Sequence, residues 1–263
     1  MIGPIPNLVG MVHLLALPGS PRFGGSMDEV VDTAGSDAAI LTDAGFPALM
    51  VENFGDAPFY ADSVPPETVA AMTVAVGQVM STGVPVGVNV LRNDGLSAIA
   101  IAAATGARMV RVNVLTGLMY TDQGPVVGRA AEIQRRRKSL APGVEIWADV
   151  MVKHASPPQG ASARQAAADT VERGLADAVI VSGSGTGAEP DLDEANVIKE
   201  AVPAGTRIVI GSGASTSNLG RLLDVADTVI VGSAIKADGD ANSRPDPVRA
   251  AAFVQRAGER GLL

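Results

Sequence analysis

Eight times along this chain a short run of aliphatic, mostly β-branched residues is followed by a stretch of helical character. The runs are NLVGMVH, PALMVEN, VPVGVNVL, ARMVRVNV, VEIWADVM, DAVIVSG, RIVIGSG and TVIVGSA, taken in order from Asn7 to Ala234. Runs of this length and composition read as buried strands, and the Ala-, Leu- and charge-rich segments between them as helices. Helix openings fit the same reading: SMDEVVDTA follows Ser26, PPETVAAMT opens on proline, and STSNLGRLL follows Ser215. A strand–helix unit repeated eight times in 263 residues predicts one α/β domain over 1–263, a closed (β/α)8 TIM barrel. An open doubly wound sheet is the alternative, and it would show fewer units and a glycine-rich first turn.

The remaining composition narrows the function classes. Prolines and glycines are spread as turn punctuation, with no linker between unlike halves. A net charge of -8 argues against a nucleic-acid partner, which requires concentrated positive surface. The one basic cluster, Arg135 to Lys138, reads as a solvated helix face. With no cysteine there is neither a disulfide framework nor thiolate chemistry. The apolar start, MIGPIPNLVGMVHLLALPGS, lacks the charged beginning of a secretory signal, and LSAIAIAAATGA from Leu96 is too short to span a bilayer. A cytoplasmic protein without membrane insertion is the expectation. Homo-oligomerisation is left open.

In a (β/α)8 barrel, chemistry gathers at the C-terminal ends of the strands. Alternation in ARMVRVNV sends Val110, Val112 and Val114 toward the helices and Arg111 and Asn113 into the barrel. In VPVGVNVL it sends Val86, Val88 and Val90 outward and leaves Gly87 and Asn89 inside. Polar residues end the other strands too: His13, Glu52 with Asn53, Arg92 with Asn93, Asp149 with Lys153 and His154, and Ser182 with Ser184 and Thr186. The catalytic candidates are Glu52, Asn89, Arg111, Asn113, Asp149 and Lys153. Glu52 or Asp149 would be the general base, Arg111 would steady an oxyanion, and Lys153 could form a Schiff base. The competing account is that these groups only satisfy one another, as a Glu52 or Asp149 pair with Arg111 or Lys153. If they are catalytic, replacing Asp149 or Arg111 with alanine should abolish ligand binding and leave the fold intact.

The seventh and eighth runs both stop in a Gly-Ser turn, where such barrels often hold phosphate. Gly211, Ser212, Gly213, Gly232 and Ser233, with Gly183 and Thr186 from the sixth loop, are therefore the predicted phosphate-binding residues, and the ligand is a phosphorylated small molecule. No cofactor is expected outright. A divalent ion such as Mg on Asp149, Glu52 or Asp122, and a flavin mononucleotide seated by its phosphate, are alternatives. The aromatic loop NFGDAPFY reads as a lid, a subunit contact or rim packing.

These segments also carry a resemblance. VGMVHLLALPGSP, VENFGDAPF, GVNVLRND, RVNVLTG with TDQG, ADVMVKHA, SGSGTG, GSG and VGSAIKADG, in that order over nearly the whole chain, resemble the BtpA/SgcQ family. The resemblance implies a barrel similar to the ribulose-phosphate-binding group. It also implies a link either to photosystem I biogenesis or to genes of sugar uptake, without a settled reaction. An enzyme acting on a small phosphorylated metabolite is thus the leading expectation, with a non-catalytic assembly factor as its rival.

Overall fold

A computed structural model describes residues 4–183, 185 and 187–263. Eight parallel strands close a barrel in the order of the chain: β1 (Leu8–His13), β2 (Leu49–Glu52), β3 (Val86–Asn89), β4 (Met109–Val112), β7 (Glu145–Val150), β9 (Ala178–Val181), β10 (Arg207–Ile210) and β11 (Thr228–Val231). Each falls within one of the eight apolar runs. Around them lie α1 (Met27–Asp43), α2 (Pro66–Met80), α3 (Gly95–Thr105), α4 (Ala130–Leu140), α5 (Ala163–Ala168), α6 (Leu192–Ala201), α7 (Leu219–Leu222) and α8 (Pro247–Glu259). The fold is a (β/α)8 barrel.

Local chemistry sets the helix starts. Ser26 caps α1 by accepting from the Glu29 N–H, while Pro66 opens α2, where a missing N–H costs nothing. The expected start at Ser215 is corrected. α7 is a single turn, Leu219–Leu222, and Ser215 opens the turn before it, its Oγ accepting from the Asn218 N–H and its own N–H donating to Asn218 Oδ1.

Two apolar layers follow from the period of two along each strand. Outward residues, among them Val86, Val88, Val90, Val110 and Val112, pack with the helices. Inward residues, including Met50, Met109, Trp147, Ile180 and Ile230, fill the barrel. A Cβ on Gly87 would lie 2.5 Å from Met109 Cγ and 2.8 Å from Met50 Sδ, so the glycine makes room for both methionines. Below them the Trp147 indole donates to Glu145 Oε2, and Arg207 lies over its ring.

One element departs from the repeat. Between β4 and α4 the chain makes a hairpin of β5 (Leu118–Thr121) and β6 (Gly124–Val127), which pairs with the two-residue β8 (Ala155–Ser156). Met119 and Val126 turn inward beneath it, and Val114 packs with them and Val152 rather than continuing the outer layer as expected. Arg135, Arg136 and Lys138 are exposed on α4, while Arg137 pairs with Asp177. Among the described residues no helix is long and apolar enough to cross a membrane.

Candidate functional site

Strand register assembles the barrel mouth. His13 lies beside Glu52, Glu52 beside Asn89 and Asn89 beside Arg111, each at matched positions on neighbouring parallel strands. Alternation turns these side chains to the same inner level, and Asp149 near the end of β7 joins them.

Part of this layer is closed on itself. Arg111 grips Asp149 with two hydrogen bonds, Nε to Oδ2 at 2.8 Å and Nη2 to Oδ1 at 2.7 Å, and Nη2 also donates to Gly211 O at 2.8 Å. The side chains are only 3% and 0% exposed. Burial works against the Arg111 charge, but Asp149, with help from Glu52, outweighs it and holds the guanidinium above its ordinary range. Asn113 Nδ2 reaches Asp149 Oδ2 at 3.4 Å, and Asn89 Nδ2 donates to Asn113 Oδ1 and to Arg111 O. Four of the six catalytic candidates therefore form one buried network. Within it Asn89 Oδ1 has no hydrogen-bond partner among the described residues.

The other two candidates face open space. Glu52, Phe54, Arg92, Arg111 and Lys153 border a cavity of about 240 Å³. A narrower hollow of about 30 Å³ shares Glu52, Phe54, Arg111 and Lys153 with it and runs to Ser212, Gly232 and Ser233. Glu52 has no side-chain hydrogen bond among the described residues; its nearest charged neighbour is His13 Nε2 at 3.9 Å. Lys153 has one long contact, Nζ to Ser212 Oγ at 3.4 Å. Burial, then Arg111, brings its amine down to about 8, against the opposing pull of Glu52 and Asp149.

His13 completes the rim. Its Nδ1 lies 2.9 Å from the carbonyl of Ala241, which can only accept, so Nδ1 carries the proton and Nε2 is left bare. Its ring stacks on Phe54 at 4.4 Å. Burial, and next Lys236, lower its pKa to about 3, so the ring is neutral at physiological pH. The aromatic loop thus packs on the rim through Phe54, while Tyr60 stays exposed.

The glycine turns divide in the same way. Gly211 is committed: its N–H donates to Val181 O and its carbonyl accepts from Arg111. Ser212, Gly213, Gly232 and Ser233 present backbone N–H groups with no acceptor among the described residues. Gly213 has φ +90°, and a Cβ there would lie 1.9 Å from Ala188 O; on Gly183 the same oxygen would lie 2.1 Å away. Both glycines admit the sixth loop. Thr186 and Ser184 lie outside the described residues.

Other polar strand ends are structural. Asn93 holds Val114 through both its backbone groups. Asn53 accepts from Leu91 N–H and donates to Asp56, which in turn accepts from Leu17 N–H. A larger hollow of about 330 Å³ lies beside this brace. It is walled by Pro21, Pro58, Phe59 and Tyr60, and its one carboxylate, Asp56, is already bonded. The alternative metal set is not assembled: among the described residues no group of three His, Asp or Glu side chains could hold an ion.

Sequence reasoning treated His13 as a strand-end residue without a role and passed over Lys236. Lys236 is 1% exposed and donates to Ser243 O at 2.9 Å. No local pattern marks it, because its burial depends on the loop that folds back over it.

The fold and site define a (β/α)8 barrel with an open, polar C-terminal mouth. Within that class the chain belongs to the BtpA family, whose model matches residues 6–259. It is 46% identical to the "Photosystem I biogenesis protein BtpA" of Synechocystis over 96% of this chain and 88% of that one. It is 32% identical to the "Putative sgc region protein SgcQ" of Escherichia coli over 97% and 96%. Among solved structures it is similar to a thiamine phosphate pyrophosphorylase from Pyrococcus furiosus, with TM-score 0.59 and 13% identity over 97% and 96% of the two chains.

Proposed function

We propose that the chain is an enzyme acting on a small phosphorylated metabolite, a sugar phosphate or a nucleotide-derived one, bound in the barrel mouth. The observation that carries this is the set of N–H groups on Ser212, Gly213, Gly232 and Ser233 that have no acceptor among the described residues, beside the side chains of Glu52 and Lys153, which face the hollows of the mouth. Buried or half-buried amides seldom go unpaired, and three of these residues, Ser212, Gly232 and Ser233, line the narrow hollow of the mouth, which suits an anion. The Ser233 hydroxyl adds a donor, while that of Ser212 donates to Gly185 O at 3.4 Å. The reacting carbons would then lie over Glu52 and Lys153, with the one side of Arg111 not bound to Asp149 available to a developing negative charge. Glu52 is the better base, since both oxygens of Asp149 are held by Arg111. The similar fold of a thiamine phosphate pyrophosphorylase, whose name includes a phosphate ester, is in keeping with this reading.

A thermal-shift panel tests it, with sugar phosphates and nucleotides run beside their unphosphorylated counterparts. A ligand at 100 times its Kd stabilises by about 2.7 kcal/mol, a rise of roughly 5–10 °C for a domain of this size. If no phosphorylated compound raises the midpoint, the reading fails.

The name of the Synechocystis relative favours a second reading, a non-catalytic assembly factor. The outward face of the hairpin, with Tyr120 and Val127 exposed, offers such a factor an apolar contact. In cells lacking the relative, loss of rescue by Glu52→Gln would support the enzyme. Loss only with Tyr120→Ser and Val127→Ser would support the factor. Flavin mononucleotide would use the same phosphate seat, and protein left colourless after flavin addition would exclude it.

A further inference from the structure

We infer that Lys153 is a nucleophile that forms a covalent imine with a short carbonyl compound bearing phosphate next to the carbonyl-linked carbon. The inference deepens the proposed phosphorylated ligand and takes its specificity from it.

The mounting of this lysine differs at its two ends. Its backbone is clamped: the N–H donates to Ser182 Oγ at 3.1 Å, and the carbonyl accepts from Arg92 Nη2 at 2.5 Å. On either side Met151 and His154 hold φ of +52° and +54°, a left-handed conformation that side-chain-bearing residues adopt at some cost. Among the described residues the amine itself has only the long contact to Ser212, and it borders both hollows of the mouth.

The protein contains its own comparison. Lys236 is buried, and its amine is likewise lowered to about 8, chiefly by burial. Its Nζ is tied to Ser243 O, and it borders neither hollow of the mouth. Depressed basicity is common to both lysines, so position distinguishes them. A lysine kept only for structure would have its amine held away from the mouth, as Lys236 does.

The contact to Ser212 also sets the substrate. With the phosphate in the hollow lined by Ser212, Gly232 and Ser233, an amine 3.4 Å from the Ser212 hydroxyl meets a carbon close to the phosphate ester. Of the charged and titratable groups around it, Arg111, Arg92, Glu52, Asp149, His13 and His154, Glu52 is the carboxylate left free to move protons. The free amine adds its lone pair to the carbonyl carbon, and the C=O π pair moves to oxygen. One proton passes from nitrogen to that oxygen by way of Glu52, giving a neutral carbinolamine. Proton donation to the hydroxyl then releases water and leaves the protonated imine, with net uptake of one proton from solvent.

The test is reductive trapping with sodium cyanoborohydride at pH 7, using glycolaldehyde phosphate and glycolaldehyde, read by peptide mapping. An amine with pKa about 8 holds roughly two orders of magnitude more free base at pH 7 than an ordinary lysine. Labelling of Lys153 should exceed that of exposed Lys138 and Lys199 by about that factor, favour the phosphorylated aldehyde and rise with pH through about 8. Inorganic phosphate should compete, and Lys153→Arg should remove the label. Labelling of Lys153 no faster than Lys138 or Lys199 overturns the inference. If phosphorylated compounds still raise the melting point in that case, the phosphate seat stands and only the imine falls.

Discussion

Asp149→Ala should destabilise the fold severely, contrary to the expectation that it would be a clean probe of binding. The side chain removed is 0% exposed, and its partner Arg111 is 3% exposed. Without the carboxylate, Arg111 keeps one hydrogen bond, to Gly211 O, and its charge is stranded in the barrel. Breaking a buried pair by removing one partner costs about 3–5 kcal/mol, much of a total stability of roughly 5–15 kcal/mol. At about 2–4 °C per kcal/mol, thermal unfolding followed by circular dichroism should shift down by roughly 6–20 °C. The double variant Arg111→Met with Asp149→Leu removes both charges and should recover much of the loss, so the two single costs will not add. If either single variant stays within about 1 kcal/mol of the parent in urea unfolding, the pair is not the keystone described. Glu52→Gln is the cleaner probe of ligand chemistry, because among the described residues no hydrogen bond depends on that carboxylate.

The remaining predictions concern the rim. His13 is near 3 in the folded protein against an ordinary 6.5, so the unfolded chain takes up a proton that the fold refuses. Its contribution is fully present above about pH 6.5 and is lost as pH falls toward 3, with a slope of up to about 1.4 kcal/mol per pH unit. His13→Asn, which can still donate to Ala241 O, should flatten the urea-derived stability profile across that window, and identical slopes would refute the assignment. Gly213→Ala forces a methyl to 1.9 Å from Ala188 O at φ +90° and should cost about 1–3 kcal/mol. Gly232→Ala meets nothing closer than 3.7 Å, so it should keep its melting point within a few degrees while losing most of the stabilisation by phosphorylated ligands in the thermal-shift panel.

Much of the barrel was legible because strand and helix have different periods, and eight repeats leave few topologies. Alternation also placed Asn89, Arg111 and Asn113 on the inner face, and Glu52 was marked by its position at a strand end. What alternation does not encode is partnership. Arg111 and Asp149 are 38 positions apart, and they meet because β4 and β7 become neighbours once the hairpin is set aside from the barrel. The proton on His13 is fixed by Ala241, 228 positions away, and only barrel closure brings those ends together. The hairpin carries only a faint signal, LMYT and PVV on either side of a Gly-containing turn, too short for periodicity to mark it as two strands.

The division of the mouth into a closed and an open half bears on its field. Arg111 and Asp149 cancel each other. The groups left facing the cavity are Arg22, Arg92 and Lys153 against Glu52, a local positive excess in a chain of net charge -8. In a cleft with low-dielectric walls such an excess is screened less by salt than an exposed charge would be. It attracts anions to the rim where backbone donors have no acceptor among the described residues, while burial, with Arg111 and Arg92 beside it, lowers the basicity of the Lys153 amine. A cationic mouth that also weakens its own lysine's basicity suits an anionic electrophile better than a neutral one, and this is why phosphate and carbonyl are expected on the same ligand.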